Sequence, residues 1–211
     1  MTIGPDGSRS AGPSARRAMT MSNTARPGPG SDLRDAEQAA TGVSVTAVTV
    51  LGVVAVLAVA LDQLVKELST NGLTANEPVR TLGGLVYLCL WRNSGAAWSV
   101  GSGHTWVFPL VAIAVAGWIG WVAVRLRSKP WAVALGLVLG GTLGNLGDRL
   151  FRDPGVLRGH VVDMISLFGP DAQYFPVFNV ADMCLTIGVT LAVALELTGR
   201  ARDGSRRQSA R

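Results

Sequence analysis

Four long apolar runs organise the chain, at residues 43–61, 105–124, 131–147 and 175–195. Each is close to the roughly 20 residues that about 30 Å of hydrocarbon requires. The first three contain no charged residue, and they show almost none of the helically spaced polar positions that a water-facing helix presents. The pattern predicts four membrane-spanning helices. The alternative, buried core helices of a water-soluble protein, needs polar faces that these runs lack. The fourth run breaks the rule with Asp182, one turn after Asn179. An ionisable group at membrane depth is expensive and marks a pathway, a partner or a catalytic site.

Between the first two runs the period changes. Residues 67–104 alternate short apolar stretches with Gly and Asn, and "TLGGLVYLCLWRNSGAAWSVGSG" predicts a small sheet with Val86, Leu88 and Leu90 on one strand face. The connection 151–174 reads as a loop with at most a short helix, broken by Pro154, Gly155, Gly159, Gly169 and Pro170. The ends, 1–42 and 199–211, are rich in Gly, Ser and Arg without apolar periodicity and read as disordered tails. The first apolar run follows some forty polar residues, unlike a cleaved secretory leader. The expected architecture is an all-α membrane protein: four transmembrane helices in a domain at 43–198, with a small extracellular β-sheet cradle and two tails.

Composition agrees, because only 16% of the 211 residues are charged, against roughly 25% in soluble domains. Charge then sets the orientation. Arg9, Arg16, Arg17, Arg26 and Arg34 precede the first run, Arg125, Arg127 and Lys129 separate the second from the third, and Arg200, Arg202, Arg206, Arg207 and Arg211 follow the fourth. Fewer cations, Lys66, Arg80, Arg92, Arg149, Arg152 and Arg158, lie at the opposite ends of the runs. The bias predicts a multi-pass protein with both termini cytoplasmic. The net charge of +5 is then a matter of tails near anionic lipid, and no nucleic-acid partner is expected. Cys89 and Cys184 read as packing residues, and with His104 and His160 they form no metal-ligand spacing, so no metal or cofactor is expected.

The polar residues gather at one depth. "DQLVK" sets Asp62 and Lys66 at i and i+4 on one helical face. "GGTLGNLGDRL" places Asn145, Asp148 and Arg149 on one side of the third helix, and "FNVAD" brings Asn179 and Asp182 to the start of the fourth. Asp62 with Lys66, and Asp148 with Arg149, read as structural ion pairs bracing the helices. Asp163, in "VVDM", and Asp182 have no nearby cation in sequence. Asp163 alone could be a solvated loop residue, but the chain reversal between the two can bring the carboxylates together. Two close carboxylates cannot easily both ionise, so one keeps a proton while the other remains a base. Those are the partners needed to activate water and protonate an amide leaving group, which points to an intramembrane aspartyl protease. Asn179 could orient a carboxylate or a substrate carbonyl, and Gly136, Gly140 and Gly144 permit close helix contact. A small proton-coupled membrane transporter would use Asp62, Asp148, Asp163 and Asp182 as relays, but relays need polar groups at several depths. A noncatalytic membrane scaffold would leave two unpaired carboxylates without a reason.

"DQLVK", "NSGAAWS", "GGTLGNLGDR", "VVD" and "FNVAD", in this order between Leu51 and Leu197, resemble the lipoprotein signal peptidases (signal peptidase II), bacterial inner-membrane aspartyl proteases. The resemblance implies that Asp163 and Asp182 are catalytic. It also implies that Asp62, Lys66, Asn93, Gly95, Asn145, Asp148, Arg149, Asn179 and Ala181 shape the site. The implied activity removes the signal peptide from diacylglyceryl-modified prolipoproteins, cutting before the lipidated cysteine, near the extracytoplasmic face. The implied partners are those lipidated precursors and membrane lipid; nothing implies a cofactor or an oligomeric state. On this reading the signal helix packs beside the glycine-rich third span, and Trp98 sits at headgroup level. Thr142 and Met164 stand where the family more often has Ala and Phe.

Overall fold

The computed structural model describes residues 43–95 and 105–206. The expectations for 1–42, Trp98, His104 and 207–211 lie outside them. Helix α1 (Val45–Gly72) begins where the Ser44 hydroxyl accepts the Ala47 N–H at 3.4 Å. It does not stop at the expected boundary of 61. Asp62, Lys66 and Ser69 continue the inward face of Leu51, Ala55 and Ala58 for another three turns. A hairpin follows, β1 (Val79–Thr81) and β2 (Val86–Asn93), joined through a tight turn at Leu82–Gly84. Helix α2 (Val107–Ala123) leads to α3 (Lys129–Phe151), which has a proline in its first turn, where the missing N–H costs nothing. Strand β3 (Val161–Leu167) and helix α4 (Val180–Leu197) complete the described fold.

α1, α3 and α4 are long and apolar enough to cross a membrane, and α2 is a shorter apolar helix of 17 residues. Large apolar side chains such as Val56, Leu57, Trp121 and Val189 face outward, as a lipid solvent permits. α3 is the central helix. A Cβ built on Gly140 would meet Ala58 Cβ at 2.5 Å and Ala55 O at 2.8 Å, so only glycine admits α1 this closely. Gly136 faces Leu51 and Val54 of α1 in the same way. The glycine stripe is therefore occupied by α1, which leaves only the other faces of α3 for a further helix. On another face of α3, Gly188 of α4 would meet Ala134 O at 2.8 Å if it carried a Cβ.

The sheet has the order β1-β2-β3, antiparallel throughout. β3 corrects the expectation of a loop with at most a short helix across 151–174. Val161, Val162 and Ile165 are β-branched, and β2 supplies a partner edge, so "VVDMISL" pairs as a strand. A register shift between Leu88 and Trp91 also breaks the simple alternation expected of β2: the buried residue there is Cys89, while Val86, Leu88 and Leu90 are only half-buried. Cys89 and Cys184 are free thiols.

Residues 199–206 are not a loose tail. The Trp131 indole N–H donates to Arg200 O at 2.7 Å, and the backbone N–H groups of Arg127 and Ser128 both donate to Arg202 O at 3.0 Å. The Arg202 guanidinium lies 5.1 Å from the Trp131 ring centre. Donors left over in the α2–α3 turn thus fold this basic segment back onto the helices.

Candidate active site

Asn179 caps α4. Its side-chain oxygen accepts the Asp182 N–H at 2.9 Å, while an Asp182 oxygen accepts the Asn179 N–H at 3.2 Å. This reciprocal capping box satisfies two otherwise orphaned donors and fixes the Asp182 carboxylate at the positive end of the helix. Just before the cap, Phe178 exchanges two backbone hydrogen bonds with Ile165, at 2.9 and 3.0 Å, and its carbonyl also accepts the Met164 N–H. That stitch holds the entry to α4 against β3 and sets Asp163 beside the cap. The Asn179 amide donates to Asp163 Oδ1 at 2.6 Å, so one side chain touches both elements that carry the carboxylates.

Asp163 is 2% exposed and takes a second amide donor, Asn93 of β2, at 3.0 Å. Asp182 takes its second from Asn145 of α3, at 2.8 Å. The Asn145 oxygen accepts in turn from Lys66 at 2.9 Å and Asn179 at 3.1 Å. Because an ammonium can only donate, Lys66 dictates which end of the Asn145 amide faces Asp182.

Lys66 also contacts Asp62 at 2.7 Å and Asp148 at 2.8 Å, with all three side chains sealed from solvent. The expected pairing of Asp62 with Lys66 is present; the pairing of Asp148 with Arg149 is not. Asp148 turns toward α1 and meets Lys66 and Arg152, the latter at 2.7 Å, and it also accepts the Val162 N–H at 3.2 Å. Successive helical residues point about 100° apart, so Asp148 cannot share the Arg149 face. Arg152, one turn on, can. Arg149 instead reaches toward the site, donating to Gly95 O at 3.0 Å and lying over the Phe108 ring. Gly95 is held by Asn93, whose oxygen accepts its N–H at 2.9 Å. Ala181 is fully buried, and its N–H donates to Asp62 at 2.8 Å.

Every residue expected from the sequence to shape the site belongs to this network. Asp163, Asp182, Asn93, Gly95, Asn145 and Arg149 line one cavity of about 640 Å³. The sequence reading missed Arg152, Gln63 and Phe108. Arg152 had a signal in its i+4 spacing from Asp148, whereas Gln63, which donates to Gly144 O at 3.1 Å and Asp148 at 3.4 Å, had none. Apolar walls on the same cavity come from Phe175, Phe178, Met183 and Ile187. Among the described residues no cluster of His, Cys, Asp and Glu is arranged to hold a metal ion.

Burial, and after it the charge of Asp182, pushes the Asp163 carboxyl up to about 7 against the two amide hydrogen bonds it accepts. Asp163 then keeps a proton near neutral pH in a cavity that the Asp182 carboxyl also lines, so one site can offer an acid and a base. The shift has a stability consequence. With the folded value above the unfolded one, Asp163 contributes stability fully below about pH 4, and that contribution is lost as pH rises through about 7. Asp163→Asn removes the dependence, so its melting temperature relative to wild type should rise between pH 5 and pH 8. A gain of several degrees is expected, at roughly 2–4 °C per kcal/mol for chains of this size. Any fixed loss from replacing an acceptor cancels between the two conditions. Parallel melting curves at both pH values would contradict the buried protonated carboxyl.

A family model described as signal peptidase (SPase) II matches residues 54–198. The lipoprotein signal peptidase of Leifsonia xyli subsp. xyli is 41% identical over 174 residues, covering 82% of this chain and 79% of that one. That of Rhodococcus jostii is 46% identical over 157 residues, covering 74% and 77%. A solved bacterial membrane enzyme, determined by the in meso method at 2.3 Å, superposes with a TM-score of 0.63 at 27% identity, covering 81% of this chain and 97% of that one. A second, at 1.9 Å, gives 0.60 at 30% identity, covering 74% and 96%.

Proposed function

The chain belongs to the signal peptidase II family, a family of membrane proteases, and on that premise we propose that it is an aspartyl endopeptidase acting on lipidated prolipoproteins, with Asp163 and Asp182 as its catalytic pair. The observation that carries the reading is that these two carboxyls, joined through Asn179, face one cavity with a polar end and an apolar wall. The ionised member takes a proton from water, whose oxygen adds to the scissile carbonyl carbon. The protonated member then gives its proton to the leaving nitrogen as the C–N bond breaks. An extended peptide crossing the cavity would meet the second N–H of the Asn93 amide, whose first goes to Asp163, and the remaining lone pair of Gly95 O, which Arg149 holds from α3.

The diacylglyceryl chains lie against Phe175, Met183 and Ile187 or in the adjoining bilayer, while the peptide bond reaches the polar end. Both termini are cytoplasmic, and the dyad works near the opposite, extracytoplasmic face. The single depth of the polar network disfavours a proton relay across the membrane.

The test compares diacylglyceryl-modified and unmodified forms of one precursor with the purified enzyme. Buried methylenes contribute about 0.8 kcal/mol each, so kcat/KM for the unmodified form should fall at least a hundredfold. Equal processing would make the chain a general signal peptidase and overturn the assignment of substrate.

A further inference from the structure

A second groove, of about 480 Å³, runs between α1 and α3 and shares no lining residue with the cavity of the two carboxyls. Val59, Gln63 and Glu67 form one wall at successive turns of α1, and Leu143, Gly147 and Phe151 form the other at successive turns of α3. Polarity is graded along it. Val59 and Leu143 lie at one end of the groove, while Glu67 and Arg152 lie at the other, about 12 Å further along the helix axis. Gly147 gives the groove its waist. Its sister glycines on α3 admit α1, but a Cβ on Gly147 would find only Gln63 Nε2, at 4.0 Å. Among the described residues no packing needs that space.

The charges at the rim are Arg152 and Glu67; Asp148, which also lines the groove, is buried between Lys66 and Arg152. Arg152 commits its Nε to Asp148 at 2.7 Å, and Glu67 accepts from Asn71 at 2.9 Å through one oxygen only. A transmembrane helix laid in the groove would cover both charges with apolar surface. An anionic lipid would answer Arg152 but set its phosphate beside the Glu67 carboxylate. A headgroup with a phosphate and a primary ammonium answers both, and its acyl chain follows the apolar floor past Gly147 to Leu143 and Val59. We infer that this groove binds one zwitterionic aminophospholipid of the phosphatidylethanolamine class from the leaflet on the sheet side. The site is independent of the catalytic reading.

The test is native mass spectrometry of the full-length protein, released from detergent after incubation with equimolar phosphatidylethanolamine, phosphatidylglycerol and phosphatidylcholine of identical chains. One phosphatidylethanolamine should be retained at least tenfold over either competitor. Gly147→Leu, whose Cβ has room at 4.0 Å from Gln63 and whose branched end fills the groove, should abolish retention and leave cleavage of a lipidated precursor unchanged. Glu67→Gln, a conservative change on an exposed residue, should reduce the preference over phosphatidylcholine to less than threefold. Equal retention of the three lipids in wild type, or retention of phosphatidylethanolamine undiminished in either variant, would overturn the proposal.

Discussion

Asp163→Asn and Asp182→Asn are each expected to lower the single-turnover cleavage rate by about a thousandfold or more while leaving a folded, membrane-inserted protein. Positioned acid–base groups contribute about 10²–10⁴-fold singly, and here the charge of Asp182 also helps Asp163 keep its proton. An amide can neither take the proton of the attacking water nor return one to the leaving nitrogen. The structural consequences differ between the two positions. At 163 the amide keeps an oxygen for Asn93 or Asn179, whereas at 182 it loses half of the capping box with Asn179. The Asp182 variant should therefore lose some stability, about 1 kcal/mol, as a damaged cap does. The measurement is cleavage of a lipidated precursor by each purified variant, with melting curves recorded alongside. Turnover within tenfold of wild type by either folded variant would remove that residue from the chemistry.

Lys66→Met should produce the largest loss of stability of any single side-chain change in the site. It leaves Asp62 and Asp148 facing each other across a space sealed from solvent, with only Arg152 to answer the second. Breaking a buried ion pair by removing one partner costs about 3–5 kcal/mol. Adding Asp62→Asn should return part of that, because Asp148 keeps Arg152 and the Val162 N–H. Reversible unfolding in mixed micelles, with single and double variants side by side, measures both effects. A single variant as stable as wild type would mean that the buried charges do not depend on the ammonium as the geometry requires.

Much of the fold was legible because lipid demands long apolar runs, and the four runs fall on the four helices. The ends of the helices were not. Hydropathy stopped the first span at 61, since Asp62 and Lys66 look like water-facing groups. Their mutual neutralisation and the burial of Ser69 carry α1 on to Gly72. The i, i+4 spacing of Asp62 and Lys66 was a sound guide because helical neighbours lie there. The adjacency of Asp148 and Arg149 misled because neighbours in sequence diverge around a helix. β3 was hidden for another reason: its partner edge is about 70 residues away in β2, and no local pattern reports a pairing that distant. The segment 199–206 was missed because what orders it, the Trp131 indole and two turn N–H groups, lies on other elements.

The capping box at the start of α4 bears on resistance. An inhibitor that grips the proposed dyad would hold Asp182 by the carboxylate that closes the first turn of that helix with Asn179. Escape by altering either residue frays the helix start and also disturbs the Asn179 contact to Asp163. Variants selected under such an inhibitor would then have to arise on the apolar wall, at Phe175, Met183 or Ile187, where side chains can change without unpicking the backbone.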